Sequence, residues 1–154
     1  MKKTVVLGVV TMLAFTMVIA TAGTDMTKLL ADQDIDVGNV SVWNDDENLY
    51  VKYETTGDWL INETHLAVDD SLDDIPQTKR HNPIPGQFEY KNESQGPGIT
   101  VYQYDIPLIW EAGTELFIAA HAEVANLTQN ETAWGAGDPF DGKNWATYFK
   151  YTIT

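Results

Sequence analysis

Two segments of the chain each set a glutamate and a histidine two residues apart, Glu63-Thr64-His65 and His121-Ala122-Glu123. At a strand's period of two, both members of each pair project to one face. If the segments are antiparallel neighbours with the histidines directly opposite, the glutamates also fall opposite each other. Opposed carboxylates repel unless something cationic sits between them. Two imidazoles and two carboxylates would suit Zn²⁺ or another divalent transition metal, and an open coordination position would make hydrolysis with a Glu as base feasible. The same residues also read as a solvated face, or as histidines satisfied by a backbone carbonyl or the adjacent Glu.

A second chemistry is calcium binding. Asp138-Pro139-Phe140-Asp141-Gly142-Lys143-Asn144 offers Asp138, Asp141 and Asn144 as oxygen ligands around a glycine bend, although the spacing departs from the EF-hand pattern. A third is ligand binding by aromatic rings, which can cover the apolar face of a sugar. Of the 5 tryptophans, Trp134 and Trp145 are the candidates. Trp134 is expected to be exposed, because Glu131 to Gly137 reads as a loop, and Trp134→Ala is expected to weaken binding without unfolding the domain. The competing expectation for such rings is burial in the core. Lys79-Arg80-His81 is a lone basic cluster beside acidic neighbours. No nucleophile elbow, Walker loop, dinucleotide fingerprint or His-Glu-x-x-His helix is present.

The elements that must position these residues read as strands. Val37 to Trp43 and Leu49 to Thr55 alternate around Asn44–Asn48 as a hairpin; Trp59 to Val68, Phe88 to Lys91, Ile99 to Ile106, Glu115 to Val124 and Trp145 to Ile153 follow. Asp25 to Gln33 reads as a helical turn or two. Asp69 to Gly86 is polar and Pro-rich, a loop expected to wrap one edge or end of the fold. Leu60, Leu66 and Val68 share one face of their strand, as do Leu116, Ile118, Ala120, Ala122 and Val124 of theirs. These two faces are expected to meet in a two-sheet antiparallel β-sandwich, with the Glu/His pairs on the opposite side.

The chain has 154 residues, one domain's worth, and 23 acidic against 9 basic residues give a net charge of −14. Such a surface repels nucleic-acid backbones and anionic headgroups. With no cysteine, disulfides, thiol catalysis and Cys-ligated zinc are excluded. Met1-Lys2-Lys3, the uncharged run to Ala20 and the triplet Ala20-Thr21-Ala22 have the order of a signal peptide, expected over 1–22. The domain proper is then 23–154, with no membrane association once the signal is cleaved; an uncleaved anchor is the other reading. Export to the cell surface or medium fits five Asn-x-Ser/Thr sequons, at Asn39, Asn62, Asn92, Asn126 and Asn130, as possible glycosylation sites.

Asp36–Val42, Thr55–Trp59, Glu63-Thr64-His65-Leu66, Ile75–Lys79, Asn82–Phe88, Ile118–Ala122, Glu131–Gly135 and Asn144–Phe149 occur in that order. Together they resemble a family of exported β-rich domains of bacterial and archaeal surface proteins. The resemblance implies a β-rich exported domain that can stand alone. It carries over no catalytic residue, and its signature includes His65, His121, Trp134 and Trp145. The function expected from all of this is binding or structural, toward a glycan, an envelope component or a divalent cation. The alternative is a metal-dependent hydrolase built on Glu63, His65, His121 and Glu123.

Overall fold

The computed structural model describes residues 23–93, 96 and 98–154. The expected signal peptide lies outside the described residues. Among the described residues ten strands run in chain order: β1 (Asp25–Ala31), β2 (Ile35–Asn44), β3 (Asn48–Thr55), β4 (Leu60–Asp69), β5 (Tyr90–Asn92), β6 (Val101–Pro107), β7 (Glu115–Ala125), β8 (Asn130–Gly135), β9 (Asp138–Pro139) and β10 (Thr147–Thr152). Eight of them form one antiparallel sheet in the order β5-β4-β7-β8-β1-β2-β3-β6, with β10 branching from β7 and β9 from β10. Among the described residues no helix is long and apolar enough to cross a membrane.

The sheet curls into a nearly closed barrel. Just before β6, Ile99 exchanges both backbone hydrogen bonds with Ile61 of β4, at 2.6 and 3.1 Å. Farther along the same seam the Tyr104 hydroxyl of β6 meets Thr64 Oγ1 of β4 at 2.7 Å. Burial pushes the Tyr104 phenol up to about 12, so it stays neutral and able to donate. Inside lie Leu29, Val37, Val40, Val42, Leu49, Val51, Tyr53, Ile61, Leu66, Leu116, Ile118, Ala120 and Ala122, one continuous apolar core.

The two-sheet sandwich is therefore corrected to a single barrel. The apolar faces of β4 and β7 do not meet across two layers; the strands are hydrogen-bonded neighbours in one sheet. Two misread segments explain the error. Asp25–Ala31 is a strand, not a helical turn, held between β2 and β8. Glu131–Gly135 lies in a strand, not a loop, held between β7 and β1. Without β1 and β8 the remaining strands fall into two blocks, which is what a sandwich looks like. Their pairing, Leu29 with Gly135 through Ala31 with Ala133, joins the blocks.

A second apolar layer lies outside the barrel. The long segment between β4 and β5 carries Ile75 and Phe88 across the outer face, and the segment after β9 adds Phe140 and Ala146. They cover Ala67 of β4, Ala119 of β7 and Trp134 of β8. The polar stretch expected at an edge or end thus covers a sheet face. Thr64 to Val68 of β4 and Ile118 to Ala122 of β7 are buried on both faces as a result.

Gly38 marks a tight backbone contact. Its φ is 151°, and a Cβ would run into the Glu54 carbonyl oxygen on β3. Gly38→Ala should lower the unfolding free energy by about 3 kcal/mol or more, because both the backbone angle and the interstrand spacing must give. Urea unfolding of the variant checks this, and an unchanged midpoint would contradict the packing at this position.

Candidate functional site

The β4–β7 register sets Glu63 opposite Glu123 and His65 opposite His121, all projecting outward from the barrel. A bulge between Ile61 and Glu63 adjusts the strand so that the histidines line up. The outer layer then buries both imidazoles, each 5% exposed. Their Nδ1 atoms are 3.1 Å apart. His65 Nε2 lies 3.0 Å from Glu93 Oε1, beyond the end of β5, and His121 Nε2 lies 3.2 Å from Glu123 Oε1. Thr132 Oγ1 of β8 donates to Glu123, and the Trp134 ring packs 4.9 Å from His121.

This is a linear chain of contacts, carboxylate to imidazole to imidazole to carboxylate. Burial holds His121 below its ordinary value, outweighing the Glu123 carboxylate that raises it. The hydrogen bond from His121 in turn holds Glu123 below the usual carboxylate range. At neutral pH His121 is therefore neutral and spends its one N–H on Glu123, leaving Nδ1 as an acceptor. His65 must donate its Nδ1–H there, and a third proton must lie between His65 Nε2 and Glu93.

Among the described residues no group of three or more His, Asp or Glu side chains could hold a metal ion. Each imidazole has one nitrogen on its partner ring and the other on a carboxylate, so Glu63, His65, His121 and Glu123 converge on one another rather than on a common point. The expectation of histidines satisfied by a neighbouring Glu describes His121; His65 takes Glu93, a partner no strand periodicity could indicate.

The loop expected to offer calcium ligands, Asp138 to Asn144, follows β8. Asp138 and Asp141 are exposed, and the bend is closed from within the protein. Asn82 Oδ1 accepts from the backbone N–H groups of Lys143 and Asn144, at 2.7 and 3.0 Å, while Asn144 Oδ1 accepts from Ala146 N–H. Gly142 is needed because a Cβ would strike the Asn82 side chain. Lys79, Arg80 and His81 form an exposed turn. Of the sequons, Asn130 is exposed, whereas the Asn126 amide oxygen is occupied by Thr128 and Gln129. Asn39, Asn62 and Asn92 are half-buried on β2, β4 and β5.

Trp134 and Trp145 come together. Both line a cleft of ≈ 170 Å³ with Leu30, Gln33, Ala136, Gly137 and Thr147. Trp134 is only 4% exposed, correcting its expected place on an open loop; Trp145 is half-buried. Gly137 lets the wall approach the Tyr148 backbone, where a Cβ would collide. Thr147 Oγ1 donates to the Gly135 carbonyl. Gln33, with φ 74°, stands at the rim on the β1–β2 turn.

The buried His121 makes stability depend on pH with a definite sign. The unfolded imidazole takes up a proton near its ordinary 6.5 that the folded one resists. Its contribution is therefore complete above that pH and lost as pH falls through the lower folded value. Urea titrations should show stability falling in this window by up to about 1.4 kcal/mol per pH unit. A folded His121→Gln variant should lose that slope; retention of it would assign the effect to other groups.

No family model, curated protein or solved structure matches the chain.

Proposed function

We propose that the chain is an exported or cell-surface binding domain whose ligand is a neutral glycan, held at the Trp134–Trp145 cleft. The observation that carries this reading is the meeting of two indoles in a cleft with no ionisable side chain in its lining. On a chain with a net charge of −14, an uncharged concavity is selective. A cationic ligand has acidic surface elsewhere to choose, and an anionic polymer is repelled on approach. Aromatic walls with a few polar groups at the rim are the usual makeup of small-molecule sites. Here the rim group is the Gln33 amide, and Trp134 and Trp145 supply the aromatic part of the lining. The cleft's size suits one sugar ring of a longer chain, not a whole oligosaccharide.

Hydrolysis by the Glu/His array is not part of this reading, because its ring nitrogens are occupied by each other and by carboxylates. Trp134→Ala cannot serve as the binding test, since removing so buried an indole costs about 3–5 kcal/mol of stability. Trp145→Ala is the informative change. Neutral oligosaccharides of several backbone types would be titrated against the intrinsic fluorescence of the domain. A saturable change is expected with at least one. Trp145→Ala should then weaken that affinity by about 10- to 100-fold while leaving the thermal midpoint within a few degrees. Full affinity in the variant, or no saturable response across the panel, would overturn the glycan reading.

A further inference from the structure

We propose that the Glu93–His65–His121–Glu123 array is an acid-released latch that fastens β5 and the preceding Phe88 to the outside of the barrel. The proposal does not rest on the glycan reading. β5 is the shortest of the eight strands in the main order, with three residues, Tyr90 to Asn92, paired to β4 alone. Beyond that ladder, Glu93 ties its end to His65 at 3.0 Å. Phe88, at its start, packs edge-on against Trp134, with ring centroids 6.3 Å apart, and Trp134 in turn packs on His121. The histidine pair thus underlies two attachments of this segment, beside the β4 ladder and the Tyr90–Tyr104 ring contact.

The charges around the pair are few and can be named. From β4 comes Glu63, from β7 Glu123, and from the segment beyond β5 Glu93. Lys91 of β5 is paired opposite His65, but its Nζ donates to the Gly86 carbonyl, 2.9 Å away. β8 contributes only the uncharged Thr132 and Trp134. Three protons complete the three contacts of the array. A fourth would set an N–H on each Nδ1, two donors and two positive charges facing each other at a separation now 3.1 Å. The carboxylates already bonded at the Nε2 ends cannot relieve a clash at the centre. The rings must separate, and the side that can move is the one held by three residue pairs rather than the one built into the barrel. Burial, which keeps His121 neutral, sets the release in the mildly acidic range, below the ordinary imidazole value.

The test is amide hydrogen exchange on the whole domain, corrected for the intrinsic pH dependence of exchange, alongside ¹⁵N shifts of the imidazoles. Between about pH 7.5 and about pH 5, protection of Phe88 to Glu93 should fall at least about tenfold, while β2 and β3 stay within about twofold. The His121 ring should become imidazolium over the same interval. In His121→Gln the neutral amide cannot take the fourth proton, and protection at β5 should persist at pH 5. If that variant does not fold, Glu123→Gln supplies the second reading. Without its carboxylate the cation on His121 is disfavoured, so release should move to lower pH. Constant protection of β5 in the unaltered chain overturns the latch. So does an identical acid profile in whichever variant folds.

Discussion

Strand β7 needs cover on both faces, and much of the architecture follows from that need. Its inner face carries Leu116, Ile118, Ala120, Ala122 and Val124, and its outer face Ala119 and His121. Both edges are also used, by β4 on one side and by β8 and then β10 on the other. A strand in that position has no solvent-facing side on which to place polar residues, hence the near-continuous apolar run Leu116–Ala122. The alanines let an outer layer approach as closely as the inner one. That outer layer has to be supplied by connecting segments, and the long stretch after β4 is their principal source.

Where a strand alternates cleanly, its residues announce it. The β2–β3 hairpin was legible from Val40, Val42, Val51 and Tyr53, and the opposed Glu/His register from the spacing within β4 and β7. β1 was not. Leu29 points into the core while Leu30 points outward to the Trp cleft, so adjacent apolar residues erased the alternation and suggested a helix. β8 was hidden differently. Gly135 resembles a turn glycine, but it is small because the Phe149 ring lies where a Cβ would project. Space for a ring and freedom for a turn leave the same letter in a sequence.

The site was half legible for a related reason. Strand periodicity could bring His65 to His121, but not Glu93, which reaches the pair from beyond a three-residue strand. Nor could it show that Ile75, Phe88 and Phe140 roof the outer face. Without that roof four polar residues on one face suggest coordination; with it they become a buried series of donors and acceptors that must be satisfied internally. Likewise Trp134 and Trp145 looked like separate rings until β8 and the segment leading to β10 placed them on the same cleft.

The pairing of β1 with β8 has a consequence for how the molecule comes into being. Leu29 and Gly135 lie side by side yet are separated by most of the chain. A polypeptide delivered amino end first can form β1, β2 and β3 as an open meander, but one edge of β1 stays unpaired until the last third arrives. Contacts so distant in sequence make closure slow. The chain therefore remains pliable through most of its delivery and becomes resistant to unfolding only near the end. A circular permutant opened between β3 and β4, in which β1 follows β10 and so emerges soon after β8, would shorten that delay.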